Sequence, residues 1–181
     1  MIVTLAAAQA FLGITADPTD AEVIITLITA AQAAMEARAG RHFGTIAVTE
    51  TIDGPGTYTL YLREPAETLT SFTVADVAGT VADVLVEGAA LTKKRDKGVW
   101  VSGRRNVVVV YAAGFVTVPD DLAHACLVQV GKLYSERGLI QTGANVLSAQ
   151  KIETWSQTFM AHNGLDPLVE AVVKRYACER L

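Results

Sequence analysis

The residues able to do chemistry in this chain are few: three histidines (His42, His124, His162), two cysteines (Cys126, Cys178), an acidic pair at Asp120-Asp121 and one dense run of cations. His124 stands two residues before Cys126, and at helical spacing the two side chains point in different directions. A Cys–His nucleophile pair would need another histidine brought in by folding, so Cys126 reads as a buried structural thiol. The histidines share no ligand spacing with one another or with carboxylates, which speaks against a zinc site. His42, beside Arg41 and Phe43, reads as a helix-end residue. Asp120-Asp121 would suit acid/base work only with a second catalytic group, and adjacent carboxylates at a helix start complement its dipole instead. Gly54-Pro55-Gly56 lacks the Lys-Ser/Thr of a phosphate loop, and Pro55 removes an N–H that such a loop would use. No catalytic, cofactor-binding or metal-binding residue is expected, nor an enzyme.

The cations are Lys93, Lys94, Arg95, Lys97, Arg104 and Arg105, flanking Gly98–Gly103. They make up six of the fifteen Lys and Arg, relieved only by Asp96. The favoured reading is a solvated β-hairpin whose charges also guard a sheet edge from unwanted pairing. The alternative is contact with an acidic partner surface or with DNA phosphates. Trp100 alone is thin aromatic interleaving for binding single strands.

Composition sets the frame for these residues. A chain of 181 residues suits one domain with room for an appended arm, and a hydrophobic content of 51% supports a packed core. The net charge of −4 gives no global case for nucleic-acid binding. Two cysteines do not make a disulfide framework, and a reducing cytoplasm is the simpler setting. Met1–Gly13 has no basic start, and no apolar run reaches membrane-spanning length, so a soluble intracellular product is expected.

The elements that must position these residues follow from caps and periodicity. Thr4 caps a short helix that Gly13 stops. Asp17 and Pro18 start a longer one, with Ile24, Leu27, Ile28, Ala31 and Met35 on one face and Gly40 at its end. From Ile46 to about Ala112 strands are expected: Tyr58–Leu62, Leu69–Val74, Val84–Val86, Val99–Val101 and Val107–Tyr111, with a turn over Ile52–Thr57. Pro119 fits a first helical position, and Leu122, Cys126, Val130 and Leu133 form a stripe. Gly131 lies inside this helix at a cost of about 1 kcal/mol relative to Ala. Residues 138–162 show no period yet carry Trp155, Phe159 and other large apolar groups, as an arm buried against something would. Asp166 and Pro167 start a last helix with Leu168, Val172 and Tyr176 on one face. The expected fold is α+β, mainly a helical bundle with a small inserted antiparallel β-sheet and a C-terminal arm plus helix. Its core spans 1–137, with the sheet at about 46–112, and the arm and helix span 138–181.

The order of these residues resembles the head–tail connector proteins (adaptor, or head-completion) of long-tailed bacteriophages and related prophage-derived particles. The resemblance rests on Val-x-Tyr-x-Ala-Gly-Phe at Val109–Phe115, Pro119-Asp-Asp-Leu122, Tyr134-x-x-Arg137 and the Gly-Arg pair within Ala39–Phe43. The opening Val3-Thr4-Leu5 with Ala7, Ala10 and Leu12 extends it, and about two-thirds of the chain is covered. It implies a non-enzymatic virion protein, made in the host cytoplasm, that forms a homo-oligomeric ring, a dodecamer matched to the portal. Such a ring docks under the portal protein, extends the DNA channel without sequence specificity and receives the next neck or tail-completion protein. On this sequence the portal contact would fall to Trp155, Phe159, Leu168, Val172 and Tyr176. A tail-side neck protein (stopper or tail completion) is the nearest rival, and a small cytosolic enzyme the more distant one. The sheet-forming middle and the segment after Arg137 are larger than in compact helical members of the family.

Overall fold

The computed structural model describes residues 1–14, 18–141, 149–152, 155–158 and 164–178. They form two compact units, one helical (from Met1–Ala39 and Pro119–Ala177) and one built on Gly40–Val118.

In the helical unit the local signals act where the sequence puts them. Helix α1, Leu5–Leu12, starts where Thr4 Oγ1 accepts the Ala7 N–H at 3.2 Å and ends at Gly13 in the left-handed region. Helix α2, Pro18–Ala39, buries Ile24, Ile28, Ala31 and Met35. Its polar face satisfies itself: the Thr26 and Thr29 hydroxyls donate back to the carbonyls of Glu22 and Ile25. The expected Asp17 cap lies outside the described residues. Helix α3, Asp120–Gln141, buries Leu122, Cys126 and Val130, while Leu133 is half-buried. Pro119 stands one position earlier than expected, its carbonyl accepting the N–H groups of Leu122 and Ala123. The helix continues through Gly138. At Gly131 a Cβ would stand 3.4 Å from the Phe11 ring, so the glycine leaves room for α1. Strands β8, Ala149–Ile152, and β9, Trp155–Thr158, pair antiparallel. Helix α4, Pro167–Arg175, is capped by Asp166, with Pro167 at its first position.

The other unit is two antiparallel sheets sharing one core. Strands β1 (Ile46–Gly54), β2 (Thr59–Tyr61), β3 (Ala66–Val74), β4 (Val77–Ala78), β5 (Val84–Glu87), β6 (Ala90–Lys93) and β7 (Gly103–Ala113) build them. The larger sheet has the order β1-β7-β3-β4 and the smaller β2-β6-β5. Period-two alternation sends Val107, Val109, Tyr111 and Ala113 of β7 inward with Leu69 and Phe72 of β3. There they meet Leu60 and Leu91 of the smaller sheet. Trp100, fully buried, packs edge-on to Phe72 with ring centroids 5.1 Å apart and donates Nε1–H to the Leu91 carbonyl at 3.1 Å.

The architecture corrects the expected one. A mainly helical bundle with a small sheet is overturned: among the described residues four helices stand with sheets of four and three strands, an α+β fold. Strand β1 was hidden because its inward positions are Val48, Glu50 and Ile52, and the carboxylate in the middle breaks the apolar alternation. It runs through Gly54, so the expected turn at Ile52 begins only after Gly54. Val99–Val101 is no strand. Trp100 is drawn into the core, and the chain around it takes an irregular path.

Candidate functional site

Three groups of residues compete for a role, and the resemblance-bearing motifs come first. In the β unit the chain at Phe43-Gly44 runs beside the chain at Phe115. The Phe115 N–H donates to the Phe43 carbonyl at 3.0 Å, Thr45 Oγ1 donates to the Phe115 carbonyl at 2.9 Å, and the Phe43 and Phe115 rings stack at 6.5 Å. The Arg41 guanidinium lies 4.6 Å over the Phe115 ring. Gly114 has φ +89° and its missing Cβ would run into the Gly44 carbonyl, so both backbone sign and space require glycine there. His42 is more than a helix-end residue: its backbone N–H donates to Glu64 at 2.9 Å and its ring Nδ1 lies 2.9 Å from the same carboxylate. Glu64 is buried and was not singled out from the sequence, because nothing local pairs residues 22 apart. These residues clasp the chain.

The second group is the α4 face. Val169 and Val173 are its fully buried residues. Leu168, Val172 and Tyr176 lie on other positions: Leu168 is 73% exposed, and Val172 and Tyr176 are half-buried. Tyr176 Oη donates to Asp121 at 2.7 Å, and this bond holds its phenol above the ordinary tyrosine range. Arg175 also pairs with Asp121, at 3.5 Å. Asp121 thus holds the helix end besides lying in the first turn of α3. Trp155 falls in β9, and Phe159 lies outside the described residues.

The third group is the cation run, which the structure divides. Lys93, on β6, faces inward with Nζ 4.7 Å from the Trp100 ring and 5.9 Å from that of Phe72. Lys97 pairs with Asp83 at 3.4 Å. Lys94, Arg95, Arg104 and Arg105 are exposed. The expected hairpin is not formed, since β6 and β7 belong to different sheets. Asn106 holds the irregular segment between them, accepting the Gly54 N–H at 2.8 Å and donating to the Val101 carbonyl at 3.0 Å. The Arg105 N–H donates to Asp53 at 2.6 Å.

Burial perturbs titration at two core residues. Burial pushes the Cys126 thiol up to about 11, with the Glu36 carboxylate raising it further. That places Cys126 as a protonated core residue. Burial, then the Glu50 and Glu64 carboxylates, holds the Tyr111 phenol far above its usual value. Among the described residues no three His, Cys, Asp or Glu side chains come together in a group that could hold a metal ion.

One unit is a core of clasped strands and the other a set of capped helices, and neither carries a metal-holding group among the described residues. The sequence matches the head completion protein family over residues 1–146, and the chain belongs to that family. It is a structural head-completion protein, a head–tail connector. The fold is shared with chains of three solved assemblies. One, the neck of an empty gene transfer agent particle computed with C6 symmetry, is 18% identical with a TM-score of 0.61, covering 98% of this chain and 90% of that one. A second, the neck of a native gene transfer agent particle computed with C12 symmetry, is 15% identical with a TM-score of 0.58, covering 88% and 84%. The third, from the virion of a native gene transfer agent particle, is 16% identical with a TM-score of 0.62, covering 98% and 90%. No curated protein matches the sequence.

Proposed function

We propose that this protein forms a ring beneath the portal, lengthens the DNA channel and offers its far side to the next neck or tail-completion component. The observation that carries the reading is the family match over residues 1–146, joined to a fold shared with neck chains from assemblies of sixfold and twelvefold symmetry. A ring of twelve copies suits the portal, and the particle's head–tail interface is where it acts, after synthesis in the host cytoplasm. The portal-facing surface is the α4 face with the segment before it: Leu168, Val172 and Tyr176, together with Trp155 and Phe159. Leu168 supports this assignment, since a leucine 73% exposed on a capped, anchored helix is a ready apolar anchor. The exposed Lys94, Arg95, Arg104 and Arg105 meet DNA phosphates or an acidic neighbour, with Lys93 and Lys97 committed within the unit.

The test is to mix the purified protein with portal rings from the same genome and image the complexes by electron microscopy. A stacked ring under the portal is expected, and Leu168→Asp should weaken the association at least tenfold without altering the circular dichroism spectrum. Binding to tail-side components with none to the portal would reassign the protein to the tail side of the neck.

A further inference from the structure

The larger sheet ends in a long open edge. Strand β1 hydrogen-bonds to β7 alone, in unbroken register from Ile46 opposite Ala113 to Ile52 opposite Val107. Along its other side alternate N–H and C=O groups point away from the sheet, and no other strand bonds to them among the described residues. Of the usual protections of an edge, Ile46–Ile52 has only an inward charge, Glu50, which accepts the Arg63 N–H at 3.2 Å. It holds no proline and no lysine, and the register shifts only after Ile52. The other free edges of the β unit are short: β4 has two residues, β2 three and β5 four.

Thr49–Asp53 of β1 and Tyr61–Arg63 line one concavity of about 730 Å³. Successive side chains of a strand point to opposite faces, so five consecutive residues line one hollow only where it meets the strand's edge. The hollow therefore runs along the open edge of β1, and Tyr61 brings the edge strand of the smaller sheet, β2, to its other wall. An added strand takes about 160 Å³ per residue, from a rise of roughly 3.3 Å, a strand spacing of about 4.8 Å and a sheet spacing of about 10 Å, so the hollow has room for roughly four residues. The chain carries a piece of that size with no sheet to join. Strands β8 and β9, four residues each, pair only with each other among the described residues. A lone two-stranded sheet is marginal in water and draws its stability from a third strand or a packed partner.

We propose that the β8–β9 pair of one copy adds to the open edge of β1 in the next copy and fills the hollow beside it. This rests on the ring reading above. The occupant is a second copy because every chain brings both halves, one open edge and one strand pair in want of a sheet, in equal number. The halves are unlike, so the contact passes head to tail from copy to copy, as a closed ring requires; a self-complementary contact stops at a dimer. Main-chain hydrogen bonds supply the affinity of an added strand, so the contact needs no large apolar patch. Pairing uses an edge of the β8–β9 sheet and leaves its faces for the portal contact proposed above.

The test uses whole particles. In a Cys178→Ser background, Thr51→Cys on β1 is combined with Gln150→Cys or Gln157→Cys, which are register partners on β8 and β9. Assembled particles are treated with a short bismaleimide. At least one combination should give a ladder of covalent oligomers of this chain, and each of the three single variants none. Particles that contain both combinations yet give no ladder would overturn the proposal. So would dimers from a single variant, which mark a symmetric pair, or a cross-link within one chain in place of the ladder, which puts β8–β9 on its own β1. Amides of Ile46–Asp53 should also exchange with deuterium at least tenfold more slowly in particles than in the purified chain, and an unchanged rate would count against the added strand. Absence of the unmodified protein from particles would instead remove the ring reading itself, so the two failures are separable.

Discussion

The helical unit and the β unit are held together by different means. Beyond its apolar stripe, the helical unit relies on ties at helix ends: Asp121 to Tyr176 and Arg175, Gln129 accepting the Asp166 N–H at 3.0 Å, Lys132 donating to the Gly164 carbonyl at 2.8 Å, and Arg38 with Glu170 at 2.8 Å. Most are exposed or half-exposed, and each is worth little alone. The β unit concentrates its cohesion in one aromatic centre, where Trp100 meets Phe72 edge-on under the Lys93 ammonium, in one core cluster with Leu60 and Leu91. A structure with distributed ties loses stability in small steps, whereas one with a single centre loses it in one.

That contrast can be broken most sharply at Trp100. Trp100→Ala removes a fully buried indole and its hydrogen bond and should destabilise the protein by about 3–5 kcal/mol in denaturant titrations. A loss under about 1 kcal/mol would mean that the core closes without it. A middling effect is expected from alkaline pH acting on the helical unit. The Cys126 thiol is raised to about 11, so its contribution is complete below the thiol's unfolded value near 9 and is lost as pH rises through 11. The difference between those two values corresponds to roughly 2–3 kcal/mol, since a tenfold change in an equilibrium is worth about 1.4 kcal/mol. Cys126→Ala should flatten the slope of stability against pH between these values; an unchanged slope would assign it to other groups. The smallest effect belongs to the helix-end ties. Tyr176→Phe removes the bond to Asp121 and should cost at most about 1 kcal/mol, because the bond is partly open to water. A loss as large as that of Trp100→Ala would end the distinction between the units.

What was legible in the sequence was what is decided locally. Thr4 and Gly13 bound α1, Gly40 follows α2, and Asp166 with Pro167 starts α4, because a cap is made by residues within a turn of one another. Strands β3, β5 and β7 announced themselves through β-branched residues. What pairing decides was not legible. Nothing in Lys93–Arg105 says that its two ends join different sheets, and Glu50 on an inward position concealed β1. Two of the motifs that carry the resemblance, the Gly-Arg segment and Ala-Gly-Phe, meet in the clasp of Arg41, Phe43, Gly114 and Phe115, contacts between segments some 70 positions apart. On α4 the periodicity put Leu168, Val172 and Tyr176 on one face, and packing buries Val169 and Val173 instead.

The side-by-side course of Phe43-Gly44 and Phe115 has a consequence for how such a chain can change over time. The way into the β unit and the way out of it are hydrogen-bonded neighbours, joined by a parallel bridge between Gly44 and Phe115. Everything between them is an insertion gathered at a single gate. Strands can lengthen or loops can grow beyond the gate without altering the spacing of its two ends. Any other insert that brings its ends to that spacing could replace this one, leaving the flanking helices α2 and α3 with the sequence they already have.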